Sequence, residues 1–173
     1  YNMAGTLRRS IESVILQLPS SEFEVLVVDG GSNDGSVDIL EELADEHDNL
    51  RYVALDPDPD RRLGADRQVS FEHANGNYVL FQIDTDDFYY HGITDFVAVY
   101  QALADIEETP EPLMLKGEAI VMAPREYMLE HGFHNLTGAE DMDLYRRALA
   151  NNAILFIKHF PFWEELGYGK SDM

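Results

Sequence analysis

The chain has 173 residues, 45% of them apolar with nine Tyr and nine Phe, which fits one folded domain with a real core and not a disordered segment. Its 33 acidic residues outnumber 12 basic ones, for a net charge of −21, so its surface repels nucleic-acid phosphates and argues against nucleic-acid binding. There is no cysteine, which excludes disulfides and thiolate metal sites, and no apolar run of about 18 residues that would span a membrane.

The acidic residues are dispersed and do not form a tail. Self-repulsion of this size is tolerated best where salt shortens the Debye length to about 3 Å, so a salt-rich cytoplasm is the expected setting. The chain enters a helix almost at once and closes on Lys170-Ser171-Asp172-Met173 without tapering, so a longer polypeptide is expected to continue at both ends.

Leu7, Ile11, Val14, Ile15 and Leu18 recur at helical spacing, with Asn2 or Thr6 available as cap and Pro19 beyond the end. Residues 23–28 read as a buried strand that ends at Asp29. A glycine-rich loop, Gly30-Gly31-Ser32-Asn33-Asp34-Gly35-Ser36, leads into a helix over about 37–45. Strand, glycine loop and helix in that order make a phosphate- or nucleotide-facing unit. The spacing is neither a Walker loop nor a dinucleotide fingerprint, so an ordinary βα turn is an equal reading of the loop alone.

Residues 51–55 form a third element, a strand, followed by Asp56-Pro57-Asp58-Pro59-Asp60, which the two prolines keep irregular. A helix over 63–74 carries Arg67 and stops at Asn75-Gly76. Then comes YVLFQIDTDDF, residues 78–88. Its first six residues suit a buried parallel strand, and they run straight into Asp84, Thr85, Asp86 and Asp87. Three carboxylates within four residues repel one another unless a cation sits among them, and hard divalent ions take such oxygens together with substrate phosphates. An acidic turn on an acidic protein is the plainer alternative. Ligands of open α/β sheets sit just beyond the carboxyl ends of strands, which favours the first reading.

Further on, a helix is expected over 93–106, a strand over 119–122, a helix from Pro124 to Gly132, a helix over 142–150 and a last strand over 154–157. Glu140 and Asp141 precede the 142–150 helix, where its dipole favours carboxylates whatever else they do. His131 and His134 are three apart, but Gly132 between them argues against a histidine metal site.

Taken in order, these motifs resemble the family-two glycosyltransferases of the A-type fold. Tyr1-Asn2 is similar to the end of the family's first strand, VVDGGSNDGS (27–36) to its nucleotide-facing loop, GADRQ (64–68) with ANGNYVLFQIDTDD (74–87) to the arginine-bearing helix and DxD strand, and EHGFHNLTGAEDMDLYRR (130–147) to the late Glu-Asp segment. The chain departs from the pattern at Gly30, where the loop's second acid is expected, and at Arg67-Gln68, where relatives often carry Arg-Asn.

The resemblance implies a Rossmann-like α/β fold with a mostly parallel central sheet flanked by helices, its first strand lying before Tyr1. It implies one catalytic domain over 1–173: a nucleotide-binding half (1–90), an acceptor-side half (91–155) and an aromatic C-terminal tail (156–173). It implies an inverting transfer of a sugar from a UDP- or GDP-type nucleotide sugar to a hydroxyl of a glycan or lipid-linked glycan. Tyr1 and Asp29 would hold base and ribose, Arg67 the diphosphate, and Asp84 the ribose or sugar. Asp86 and Asp87 would bind Mn²⁺ or Mg²⁺, Asp141 would be the general base, and Glu140 would orient or touch the acceptor. Rival readings are a polyprenyl-phosphate sugar synthase, whose ionised acceptor needs no base, a nucleotidyltransferase, and a non-catalytic nucleotide-sugar-binding module. The expected location is the cytoplasm. Phe156, Phe160, Phe162, Trp163 and Tyr168 crowd the last stretch and either attach it peripherally to the cytoplasmic face of a membrane or pack against the domain.

Overall fold

A computed structural model describes residues 1–166. Helix α1 (Leu7–Ile15) is followed by strand β1 (Val25–Asp29), helix α2 (Ser36–Glu46) and strand β2 (Leu50–Ala54). β1 and β2 pair in parallel, as a βαβ crossover requires, with Asp29 opposite Ala54. This pair lies over α1 and α2, where Leu7, Ile11, Ile15, Leu40, Leu43 and Leu50 form one apolar cluster. The strand begins two residues later than its apolar run suggests and is mostly half-buried.

Helix α3 (Leu63–His73) leads to β3 (Tyr78–Phe81), a short strand β4 (Asp87–Tyr89) and α4 (Ile93–Ala104). β5 (Met114–Lys116) and β6 (Val121–Pro124) precede α5 (Arg125–His131), α6 (Glu140–Ala150), β7 (Ile154–Phe156) and β8 (Trp163–Glu165). One sheet has the order β3-β6-β5-β7, and β4 and β8 form a separate antiparallel pair. In the four-stranded sheet β6 alone opposes the other three.

The acidic strand is therefore not bonded to a parallel neighbour: Tyr78 to Phe81 pair antiparallel with Val121 to Pro124. The reason is the tight turn at 117–120, closed by the Gly117 N–H to the Ile120 carbonyl at 2.8 Å, which reverses the chain beside β3. Both pairings use the same alternation of apolar side chains, so composition does not distinguish them. That alternation is clear. Val79, Phe81, Met114, Val121, Ala123 and Ile154 join a cluster with α3, α5 and α6, whereas Leu115 and Met122 join Ile93, Phe96 and Tyr100 of α4. Helices thus cover both faces of the sheet.

The expected strand over 154–157 is β7, but it is not the last: β8 follows and pairs with β4. Phe162 and Trp163 pack against the α4 cluster, while Phe156 and Phe160 remain exposed and Tyr168 lies outside the described residues. Among the described residues no helix is long and apolar enough to cross a membrane.

Candidate active site

Three strand ends and two helix starts bring the acidic and basic side chains together. At the end of β1, Asp29 is only 5% exposed. Its Oδ1 accepts the N–H groups of Gly31 (3.0 Å) and Ser32 (2.8 Å), and its Oδ2 accepts the Ser32 hydroxyl. Gly31 turns the chain back with φ of 95°, a conformation a side chain would resist. Asn2 reaches the same loop: its N–H donates to Ser32 Oγ at 2.8 Å and its side-chain oxygen accepts the Asn33 N–H at 3.0 Å. Tyr1 is thereby carried next to the loop, with its side chain 69% exposed.

The acidic turn after β3 is held from below by α1. Ser10 donates to the Asp84 carbonyl at 3.2 Å, Ser13 Oγ accepts the Tyr89 N–H at 3.0 Å, and Gln17 donates to the Tyr89 carbonyl at 3.1 Å. At the other side the Leu166 N–H donates to the Asp86 carbonyl at 2.7 Å. Every one of these bonds uses backbone of the turn or of Tyr89 just after it, and the carboxylates of the turn crowd one another. Oxygens of Asp84, Asp86 and Asp87 lie within 4.8 Å of one another.

Asp87 is not part of an open turn, as its sequence suggests, but starts β4 and is only 8% exposed. Burial, with Asp86 and Asp84 next, pushes its carboxyl up to about 6, against a hydrogen bond from the Tyr89 hydroxyl. Crowding by protein also raises Asp84, with Arg67 opposing and Asp86 and Glu140 adding to the rise. An all-oxygen set of three carboxylates in mutual repulsion fits a hard divalent cation, which relieves the repulsion and binds at such distances.

Arg67 on α3 joins this turn to the start of α6. Its guanidinium lies 3.4 Å from Asp84 Oδ1 and 3.0 Å from Glu140 Oε1, and 5.6 Å above the ring of Phe133. Glu140 is itself 5% exposed, so its charge is tied to Arg67 and not free at the surface. α6 begins at Glu140, two residues earlier than expected, because Gly138 and Ala139 both take left-handed backbone and turn the chain into the helix. Asp141 follows, half-exposed, and accepts the Met142 N–H at 2.7 Å.

A cavity of about 350 Å³ lies among these groups, lined by Arg67, Asp84, Glu140 and Asp141 with Gln82 and Lys116. Asp84 and Asp141 thus share one cavity, whereas Tyr1 and Asp29 stand apart from its lining on the 29–36 loop. Two lining residues, Gln82 and Lys116, are not apparent from sequence. Gln82, at φ 63°, accepts the Tyr145 hydroxyl through its side-chain oxygen. Lys116 donates to the Gly117 and Glu118 carbonyls and lies 5.6 Å over the Tyr145 ring; burial lowers its ammonium pKa, against Asp141 and Glu118. A lysine before a glycine is the only trace in the chain, and Gln82 leaves none. Gln68 has a structural part instead, binding the Met128 carbonyl and the Phe133 N–H at the end of α5.

The model of glycosyl transferase family 2 matches residues 1–106. Glycosyltransferase AglE of Haloferax volcanii is 34% identical over 82 residues, 47% of this chain and 26% of that protein. The crystal structure of S. aureus TarS 1-349 in complex with UDP-GlcNAc superposes with a TM-score of 0.73 at 22% identity, covering 94% of this chain and 55% of that one. The mannosyltransferase PcManGT of Pyrobaculum calidifontis, in complex with GDP-Man and Mn²⁺, gives 0.74 at 19% identity, covering 91% and 52%. These structures share the fold. The chain spans a minor part of the curated relatives it matches, 12%, 14% and 26% of the first three.

Proposed function

From the premise that this chain belongs to glycosyl transferase family 2, we propose that it moves a sugar from a nucleoside-diphosphate donor to a hydroxyl of a glycan or lipid-linked glycan, with inversion at the anomeric carbon. One arrangement carries the reading: Asp84, which is crowded by Asp86 and Asp87, and the half-exposed Asp141 border one cavity, with Arg67 bonded to Asp84 and Glu140 in its lining. Structures of the same fold that hold UDP-GlcNAc, or GDP-Man with Mn²⁺, support a donor of that class.

Asp86 and Asp87, with Asp84 beside them, are the residues that would hold Mn²⁺ or Mg²⁺. The ion would neutralise charge on the departing diphosphate. Arg67 supplies a second, fixed cation for the same oxygens. Glu140 is a positioning residue that holds the guanidinium in place. Asp29 shapes the loop that meets the nucleoside, and Tyr1 lies exposed at its edge, available to the base. The acceptor oxygen attacks the anomeric carbon from the face opposite the C–O bond to phosphate. As that bond breaks, its electron pair leaves with the nucleoside diphosphate, and Asp141 takes the hydroxyl proton.

Asp141→Asn tests this directly, since Asn keeps the shape and its side-chain oxygen can still accept the Met142 N–H. Losing a general base lowers turnover roughly 10²–10⁴-fold, whereas a first-turn carboxylate that only meets the helix dipole is worth roughly 0.3–1 kcal/mol of stability. The expected result is an unchanged melting temperature and donor affinity with transfer to a hydroxyl acceptor collapsed. Turnover within a few-fold of the parent removes Asp141 as base and points to an acceptor that is already ionised, such as a lipid phosphate.

A further inference from the structure

We propose that Asp66 selects the nucleobase of the donor, its Oδ2 accepting the ring N–H of uracil or guanine. The inference rests on the nucleotide-sugar reading above. It begins at Gly30, directly after Asp29, where the chain has no side chain to offer a ligand. A Cβ placed on Gly30 would meet Asp66 Oδ2 at 2.9 Å, closer than such atoms approach. The carboxylate from α3 therefore stands where a side chain of residue 30 would stand, at the carboxyl end of β1 where this fold class receives ligands.

The carboxylate is oriented from one side only. Arg61 Nε donates to Oδ1 at 2.5 Å, and the same guanidinium donates to the carbonyls of Gly30 (3.3 Å) and Asp56 (2.8 Å). A planar guanidinium bonded to three fixed oxygens holds its partner in one plane. Oδ2 takes no hydrogen bond from the described residues, and the Asp66 side chain keeps 27% of its surface. One oxygen is thus used in locking the group, and the other is an acceptor that no described residue occupies. An ion pair serving only to join the 56–62 loop to α3 has no need of that open oxygen. Asp66 is not itself in the cavity lining, but it directly precedes Arg67 on α3, which is.

The chemistry of the acceptor then sorts the bases. Uracil at N3 and guanine at N1 present an N–H, which a carboxylate accepts in a charge-assisted bond. Cytosine and adenine present a bare nitrogen lone pair at the corresponding edge, which a carboxylate repels. A site built around such a bond rejects a ligand that lacks it more strongly than one built on apolar contact.

The test is calorimetry of UDP, GDP, CDP and ADP binding with Mn²⁺ present, together with UDP methylated at N3 and GDP methylated at N1. Parent protein is expected to bind UDP or GDP at least about tenfold more tightly than CDP and ADP, and methylation of the preferred base to cost a similar factor. Asp66→Asn should flatten the base ratio with little change in melting temperature, and Gly30→Ala, which displaces the carboxylate, should weaken the preferred nucleotide. Equal binding of the methylated and plain nucleotide, tighter binding of CDP or ADP, or an unchanged base ratio in Asp66→Asn overturns the proposal alone. If the parent binds none of the four diphosphates, the nucleotide-sugar reading falls and takes the proposal with it.

Discussion

The 29–36 loop and the 84–87 turn are both acidic and both follow a strand, yet their carboxylates are in opposite conditions. Asp29 is saturated by donors of its own loop. Asp34 accepts the Ala4 and Ser36 N–H groups and the Ser36 hydroxyl, and its pKa is lowered: burial would raise it, but these bonds outweigh that. In the turn, by contrast, most protein donors reach the backbone, the carboxylates of Asp84 and Asp87 receive one long contact each, from Arg67 and the Tyr89 hydroxyl, and both are pushed up. α1 and its lead-in serve both regions. Asn2, Met3 and Ala4 bond the first loop, and Ser10, Ser13 and Gln17 support the second. The difference separates carboxylates that build a surface from carboxylates that wait for a charge.

The sharpest way to break that comparison is to remove one carboxylate from each region. Asp86→Asn should abolish the cation's entire contribution to UDP or GDP affinity while leaving the cation-free protein at least as stable, since a repelling charge is gone. Calorimetry with and without chelator reads this, and equal nucleotide affinity in both conditions in the parent would remove the metal assignment. Asp29→Ala should act the other way. It strands the Gly31 and Ser32 N–H groups, costing about 2 kcal/mol and lowering the melting temperature by roughly 4–8 °C in a protein of this size.

Bulk charge provides a smaller test. Lowering salt from about 1 M to about 0.1 M lengthens the Debye length from roughly 3 to 10 Å, so the net charge of −21 should lower the melting temperature. A value unchanged or higher at low salt would remove the salt-rich setting and turn attention to an acidic binding surface. The smallest effect belongs to Asp34. Its folded pKa lies below the ordinary 3.8, so its contribution is present above about pH 4 and is lost as pH falls through the folded value. Asp34→Asn should therefore slightly lower stability at neutral pH and flatten the acid limb, the two proteins converging as pH falls through the folded value.

Much of the architecture was legible in the chain. Leu7, Ile11, Val14 and Ile15 mark α1 at helical spacing, and all four are buried. Gly132 ends α5 as its place after the apolar run suggests. β4, β5 and β8 were not legible, since strands of three residues leave too few positions for an alternation to show. The buried stripe of Ser10, Ser13 and Gln17 was missed for another reason. Polar residues on a helix read as its solvent face until a backbone segment is known to lie against them.

The candidate site divides along the same line. Residue order alone determined that Asp84, Asp86 and Asp87 crowd one strand end, that a glycine loop follows Asp29, and that Glu140 and Asp141 open a helix, because each is a relation between neighbours in the chain. Tertiary structure alone decided that Glu140 is spent on Arg67 while Asp141 borders the cavity, that Asp87 is buried beneath β8, and that Asp66 fills the space Gly30 leaves. Whether a carboxylate is saturated or free depends on which donors come within about 3 Å of it. Those donors come from segments distant in sequence, so pattern and spacing along the chain carry no record of them.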